Sequence, residues 1–340
     1  MTISTVFDHF RAVKAWTSRH KADAQLDMNN LQLEVRCANR YFSFYPLFAA
    51  TINGQLAHVP SLSESVVAFG GWRPYRTYVF ALSTDKLLFK QHLAEVGLKT
   101  PQTWGPAEVP TRSYITKRSQ GSFGYGITGP FRAGERPPTA AAPADKAGTV
   151  FAEEFVAGKI VKLWLWGAKA IFADVQEYAH IIGDGVTSAG ELARQKIHGD
   201  SGANVLADDS IVHACLALQG VARDDIPAGG RSLWIDFRYG RTFLSRQGRG
   251  RTANALPALQ AQCGSQLGAL QHAVAKALRQ VAAVPLACSV DGVLDAHGQL
   301  WWLELNSNPL FPHYGYDAML SDLFDRPAAE ALSIGSGDRA

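Results

Sequence analysis

Between Ser289 and Pro312 the chain reads Ser-Val-Asp291-Gly-Val-Leu-Asp295-Ala-His-Gly298-Gln-Leu-Trp-Trp-Leu-Glu304-Leu-Asn306-Ser-Asn308-Pro309-Leu-Phe-Pro312, and three of its polar residues could do chemistry together. Glu304 and Asn306 are two apart in an apolar run, so on a strand they face the same way. Asp295-Ala-His-Gly298 supplies turn residues between two β-prone segments, Val290 to Leu294 and Leu300 to Leu305, which predicts a hairpin. A hairpin closed there brings Asp291 opposite the Glu304/Asn306 pair, so that three oxygen donors converge at one sheet end. Hard cations such as Mg2+ take a few carboxylates and leave positions for water and substrate phosphate. A lone Asp or Glu is usually a solvated surface group or half of a salt bridge. Glu304 departs from that pattern because it stands in Trp-Trp-Leu-Glu-Leu, where an unpaired buried charge is costly. The segment therefore predicts a metal–phosphate site made by Asp291, Glu304 and Asn306.

Basic and glycine-rich stretches upstream offer partners for phosphate. Lys117 closes an apparent strand, and Gly121-Ser122-Phe-Gly124-Tyr-Gly126 follows it. Backbone N–H groups in such a loop cradle phosphate oxygens, and glycine permits the close approach. A glycine-rich loop alone is more often a plain hairpin; a strand-end lysine beside it strengthens the reading. Lys86 and Lys90 are one helical turn apart and face the same way, and the residues leave open which of them would touch phosphate. From Arg231 to Arg251 the chain carries Arg231, Arg238, Arg241, Arg246, Arg249 and Arg251, with Asp236 as its only acid. Such a run is either a solvated basic loop or a source of bidentate contacts to carboxylate and phosphate.

The elements that must position these groups are legible in outline. Asp85 to Val96 reads as a helix capped by Thr84. Residues 113 to 177 are strand-rich, and residues 132 to 148 read as a surface linker. Leu259 to Val284 has apolar residues at three- and four-residue spacings and is expected to pack behind the hairpin. Near the N-terminus, Phe7, Phe10, Val13 and Trp16 are taken as one helical face. From Leu31 to Leu82 aromatic and β-branched residues dominate, with a turn at Asn53-Gly54.

At 340 residues and 47% apolar content the chain can bury a sizeable core divided among two or three lobes. A net charge of +3 gives no bulk signal for nucleic acid or membrane surfaces, and neither partner is expected. Cys37, Cys215, Cys263 and Cys288 are far apart, which argues against a zinc site and a disulfide framework and suits a cytoplasmic location. No apolar run approaches the roughly 20 residues of a membrane span.

The motifs together resemble those of the ATP-grasp superfamily, on its carboxylate–amine ligase branch, with D-alanine–D-alanine ligase, glutathione synthetase and cyanophycin synthetase as examples. Asp291 through Leu-Glu304-Leu-Asn306-Ser-Asn-Pro309 is similar to the metal-binding end of those enzymes. Thr84-Asp85-Lys86-Leu-Leu-Phe-Lys90 resembles their opening helix, Lys117 with Gly121 to Gly126 their strand lysine and flexible loop, and Glu153-Glu154-Phe155-Val156-Ala-Gly158 their adenine-holding hinge. Gly183-Asp184-Gly185-Val-Thr187-Ser188 to Leu192 and Asp225-Ile-Pro227-Ala-Gly229 resemble loops of cyanophycin synthetase and its relatives. The four main motifs run in order over about two thirds of the chain.

The resemblance implies an α+β fold of ATP-grasp type: two α/β lobes gripping ATP, with a short N-terminal lobe. The implied divisions are 1–82 as that lobe, 83–112 as a linking helix region, 113–180 as the lid, 181–325 as the metal-bearing subdomain and 326–340 as a tail. The short lobe is expected to support its neighbour and form a partial substrate wall. The resemblance further implies ATP with two Mg2+ ions (Mn2+ as a substitute) and ADP-forming amide synthesis through an acyl phosphate. Substrates would be a small-molecule or peptide carboxylate and an amine, and a homodimer is compatible with the family. Lys86 or Lys90, Lys117, Gly121, Ser122, Gly124 and Lys162 would contact phosphates; Glu153, Glu154 and Val156 would hold adenine. Two departures stand out. Lys159-Ile160 follows Gly158 where relatives carry a ribose-binding acid, and Ser289 occupies the place of an arginine that stabilises oxyanion charge in D-alanine–D-alanine ligases. Arg238, Arg246, Arg249 or Arg251 would then fill that role, with Arg238 the first choice. A kinase on the same scaffold and a non-catalytic nucleotide-binding protein are the alternatives. His313 and Tyr316 are candidates for acceptor contacts, with packing as the commoner role for such a pair.

Overall fold

The computed structural model describes residues 3–53, 55–121, 124, 126–136, 148–201, 208–239, 254–282 and 284–325. The N-terminal part pairs helix α1 (Ile3–His20) with strands β1 (Asp23–Leu26), β2 (Leu33–Cys37), β3 (Arg40–Ile52), β4 (Gln55–Val59) and β5 (Val66–Arg73). These strands form one antiparallel sheet in the order β1-β2-β3-β4, with β5 also on β3. The β3–β4 hairpin closes Ile52 against Gln55, with Asn53 at φ +49° as the Asn-Gly signal requires. Along α1 the inward residues are Val6, His9, Val13 and Trp16, whereas Phe7 is 46% exposed. The expected face fails at Phe7 because a helix turns about 100° per residue. Nine residues therefore place Phe7 on the side opposite Trp16.

Two short helices follow, α2 (Ala81–Thr84) and α3 (Lys86–Glu95). Asp85, not Thr84, caps α3: its carboxylate accepts from Leu87 N at 2.9 Å and Leu88 N at 3.3 Å. Thr84 instead ends α2 and donates back to Ala81 O at 3.0 Å. A small antiparallel sheet comes next, made of β6 (Thr103–Trp104), β7 (Tyr114–Arg118), β8 (Thr128–Phe131) and β9 (Val150–Glu154) in the order β6-β9-β7-β8. The chain continues through β10 (Lys159–Trp166), β11 (Lys169–Gln176), β12 (Ala179–Ile182), α4 (Ala189–Ser201), α5 (Asp209–Leu218) and β13 (Ser232–Asp236). Helix α6 (Leu256–Val281) leads into β14 (Ala287–Leu294) and β15 (Leu300–Ser307), and the described chain ends with a 3-10 turn at His313–Gly315 and α7 (Tyr316–Asp325). The fold is α+β.

The sheet that positions the candidate site runs β11-β10-β14-β15, antiparallel throughout. Its two faces follow the period of two. Val161, Leu163, Leu165, Cys288, Val290 and Leu305 point to one face and pack with Leu259, Leu267, Leu270 and Val274 of α6. Trp164, Trp166, Phe172 and Ala287 belong to the other face, where they join the core of the N-terminal sheet, α1 and α7. That core is continuous, so the N-terminal part is seated on one end of the same sheet face that carries the charged residues described below. The sheets cut across the expected boundary at 180. Strands β10 and β11 pair with the metal-motif hairpin, while β12, β13, α4 and α5 make a separate small core and α5 packs against β8. The linker 137–147 and the tail 326–340 lie outside the described residues. All four cysteines are free, and among the described residues no helix is long and apolar enough to cross a membrane.

Candidate active site

Cross-strand register lines up four charged residues on one face of the central sheet. Asp174 on β11 pairs with Lys162 on β10, Lys162 with Asp291 on β14, and Asp291 with Glu304 on β15. The next tier on that face is Phe172, Trp164, Ser289 and Asn306. The hairpin expectation thus holds in register as well as in kind. Lys162 Nζ lies 2.5 Å from Asp291 Oδ1, and Asn306 Nδ2 donates to Asp291 Oδ2 at 2.9 Å and Glu304 Oε1 at 3.4 Å. Burial pushes the Asp291 carboxyl up; Lys162 opposes this and the neighbouring Glu304 adds to it. Burial acts the same way on Glu304, but Lys86, Lys117 and Lys162 outweigh it and hold that carboxyl below its usual range.

Lys86 reaches the row from the first turn of α3. Its ammonium lies 3.3 Å from Glu304 Oε2 and donates to Gly121 O at 2.7 Å, tying the helix to the glycine loop. Lys90, one turn on, is directed elsewhere. It meets Glu153 at 2.7 Å without hydrogen-bond alignment, while Lys117 Nζ approaches the other Glu153 oxygen at 2.7 Å. All three side chains are buried. Burial lowers Lys90 to about 8 against the pull of Glu153, whereas Glu153 is lowered because its two lysines outweigh its own burial. The two lysines that sequence left undivided are therefore distinct: Lys86 stands at the acidic row and Lys90 in a buried ion triplet.

Gly121, Gly124 and Gly126 all have positive φ, at +128°, +70° and +76°. Gly121 and Gly126 have open space where a Cβ would stand, and Gly124 lies beside Arg238. Ser122 lies outside the described residues. In the hinge, Glu154 N donates to Gln102 O at 2.8 Å and Val156 O accepts from Tyr178 Oη at 3.1 Å. The Glu154 side chain is held by Arg112 at 2.6 Å, and Phe155 stacks on Trp234. Lys159, where relatives carry an acid, pairs with Glu177 at 2.9 Å on the surface. Loops 183–192 and 225–229 are one unit, joined by Gly185 N to Pro227 O at 3.1 Å and Ala189 N to Asp225 O at 2.8 Å.

Arg238, the first choice for the oxyanion role, is paired with two carboxylates. It sits two residues beyond β13 rather than in a strand. Its Nε and Nη2 donate to Asp236 at 3.0 and 2.7 Å, and its Nη1 donates to Asp208 at 3.0 Å. Two carboxylates neutralise the guanidinium and fix its direction. Arg241, Arg246, Arg249 and Arg251 lie outside the described residues. Tyr316 packs in the core, bonded to His9 Nδ1 at 2.9 Å and Trp72 N at 2.8 Å, which corrects its candidacy as an acceptor contact.

Two residues of the site were missed. Asp174 is buried, accepts from Gln176 Nε2 at 2.7 Å and Tyr239 Oη at 3.1 Å, and is raised by burial against those bonds. The Tyr239 ring lies under Lys162, whose ammonium is 4.9 Å from the ring centroid. The signal was available: Asp174 interrupts Ile-Phe-Ala-Asp-Val as Glu304 interrupts its own apolar run.

Among the described residues no group of three or more His, Cys, Asp or Glu side chains gathers to hold a metal; the donor set here is two carboxylates and an amide. That set fits a hard cation. The Asn306 amide nitrogen bridges the two acids, and a half-turn of that amide presents Oδ1 beside the carboxylate oxygens instead.

No protein-family model matches the chain, and no curated protein matches it. Among solved structures it is similar to the bifunctional glutathione synthetase from Pasteurella multocida (16% identity, TM-score 0.40), covering 93% of this chain and 43% of that one. It is similar also to the D-alanine–D-alanine ligase from Bacillus anthracis complexed with ATP (11%, TM-score 0.35), covering 74% of this chain and 65% of that one. A third is the L-amino acid ligase from Bacillus licheniformis (9%, TM-score 0.33), with 71% and 44% covered. The chain thus spans less than two thirds of the length of each. These are ATP-grasp carboxylate–amine ligases, the class its motifs resemble, and the likeness is distant.

Proposed function

We propose that the chain is an ATP-dependent carboxylate–amine ligase. The terminal phosphoryl group of ATP passes to a substrate carboxylate, giving an acyl phosphate and ADP; an amine then attacks the acyl carbon and phosphate leaves. The observation that carries this reading is the in-register row Lys162–Asp291–Glu304, with Asn306 beside it and Lys86 joining it to the glycine loop.

Asp291, Glu304 and Asn306 are the residues that would hold Mg2+, which supplies charge neutralisation for the triphosphate. Lys86 and Lys117 would contact the phosphates, and Glu153 lies between Lys117 and Lys90, 2.7 Å from each. The Glu154 carbonyl and Val156 N–H hold the edge of the base, since the other two backbone groups of that pair are already bonded. Lys162, braced by the Tyr239 ring and Asp291, orients the phosphoryl end. Gly121, Gly124 and Gly126, all at positive φ, would let backbone approach the phosphates closely. No protein nucleophile is required; positioning and charge supply the catalysis.

The test is to supply ATP, Mg2+ and panels of amino acids and dipeptides, and to measure ADP and free phosphate with mass spectrometry of the products. Amine-dependent release of phosphate supports a ligase. Phosphate retained on an organic product identifies a kinase instead.

A further inference from the structure

We propose that a cleft in the N-terminal lobe binds a small ligand through its carboxylate, gripped by Arg73 and Arg76. The cleft is about 270 Å³ and lies away from the charged row, so this site stands or falls without the nucleotide reading. Its walls include Gln32, Tyr45, Arg73, Tyr75, Arg76 and Thr77, and none of its lining residues is acidic.

Arg73, on β5, is only 2% exposed. Among the described residues no carboxylate lies within ion-pair distance of it. One terminal nitrogen donates to Pro309 O, and Nε is buried with no partner. A guanidinium carries five N–H donors in a rigid fork. To bury one with its charge uncompensated and a donor unmet is costly unless something else completes it. A carboxylate in the cleft brings the opposite charge and two acceptor oxygens of the kind a guanidinium fork takes.

A second guanidinium is held nearby. Tyr45 is the cross-strand partner of Arg73, and Arg76 lies over the Tyr45 ring at 5.3 Å from its centroid. Two like charges on one acid-free cleft favour an anion between them. The wall is also anchored to the central sheet. Tyr75 Oη accepts from Ala287 N at 2.5 Å at the start of β14, and Asp291 stands four residues further along that strand, roughly 13 Å away.

Isothermal titration of the full chain with succinate at neutral pH tests the site. The expected result is saturable binding, weakened at least about tenfold in Arg76→Gln, whose exposed position spares the fold, and weakened also in Arg73→Lys, which keeps the charge but loses the fork. Absence of saturable succinate binding overturns the proposal, as does Arg76→Gln binding as tightly as wild type. Inorganic phosphate is the contrasting probe, and tighter binding of phosphate than of succinate overturns the carboxylate assignment.

Discussion

At Glu153 one buried carboxylate faces two ammonium groups, Lys90 and Lys117, each 2.7 Å away. Removing one partner from such an arrangement leaves charge that neither water nor protein compensates. Glu153→Gln is therefore expected to lower stability by about 3–5 kcal/mol in chemical denaturation, and an unchanged midpoint would show that the triplet is solvated. Glu304 and Asn306 are different, since both are partly exposed and sit on the open face of the sheet. Glu304→Ala and Asn306→Ala are expected to cut ATP turnover roughly 10²-fold or more while leaving the melting temperature near that of wild type. Normal turnover in either variant would remove the metal assignment. At this scale the sequence was readable wherever an acid interrupts an apolar run. Glu304 was found that way, and Asp174 could have been. The partners of Arg238 were not legible, because Asp208 lies thirty positions away and only the folded chain brings it to 3.0 Å. The division of labour between Lys86 and Lys90 was hidden for the same reason: both share a helix face, and what separates them is Glu304 for one and Glu153 for the other.

Elements were legible where local chemistry decides them and less so where packing does. The Asp295–Gly298 turn defined the hairpin and, through it, the register of Asp291 with Glu304. Periodicity located α1 and α3 but misplaced an inward residue on the first and the cap on the second. Gly158 shows a constraint that no local pattern carries. A Cβ there would stand 2.3 Å from Leu294 O, where β10 begins to pair with β14. Gly158→Ala is expected to destabilise the protein by about 1–3 kcal/mol as those strands separate, measurable by urea denaturation. Helix α1 carries a pH-dependent contribution through His9. Burial, with a smaller push from His313, lowers its pKa from the ordinary 6.5 to about 3. The unfolded chain binds a proton near pH 6.5 that the folded chain refuses until about 3. Stability is thus complete above 6.5 and falls as pH is lowered through that window, by about 5 kcal/mol at its acid end. His9→Phe is expected to flatten this fall between pH 7 and pH 4.5, and an unchanged slope would place the acid sensitivity elsewhere.

Across the whole molecule, one face of one sheet does two things. At one end Trp164, Trp166, Phe172 and Ala287 seat the N-terminal lobe; at the other stand Lys162, Asp291, Glu304 and Asn306, with Lys86 joining Glu304 to Gly121. Sequence composition showed that the chain could bury several cores, yet not that the N-terminal core would be continuous with this sheet, nor that β10 and β11 would leave the lid segment to join it. Those are long-range pairings, decided by burial among residues more than a hundred positions apart. The arrangement joins a lobe with its own arginine-lined cleft to the sheet that carries the charged row. The most direct measurement is the stoichiometry of ADP and free phosphate formed from ATP and Mg2+ with a carboxylate and an amine, in wild type and Glu304→Ala. The account predicts equal amounts of both products, formed only when the amine is present and lost in the variant. ADP formation that is indifferent to Glu304, or no turnover with any acid–amine pair alongside no ATP binding, would contradict it.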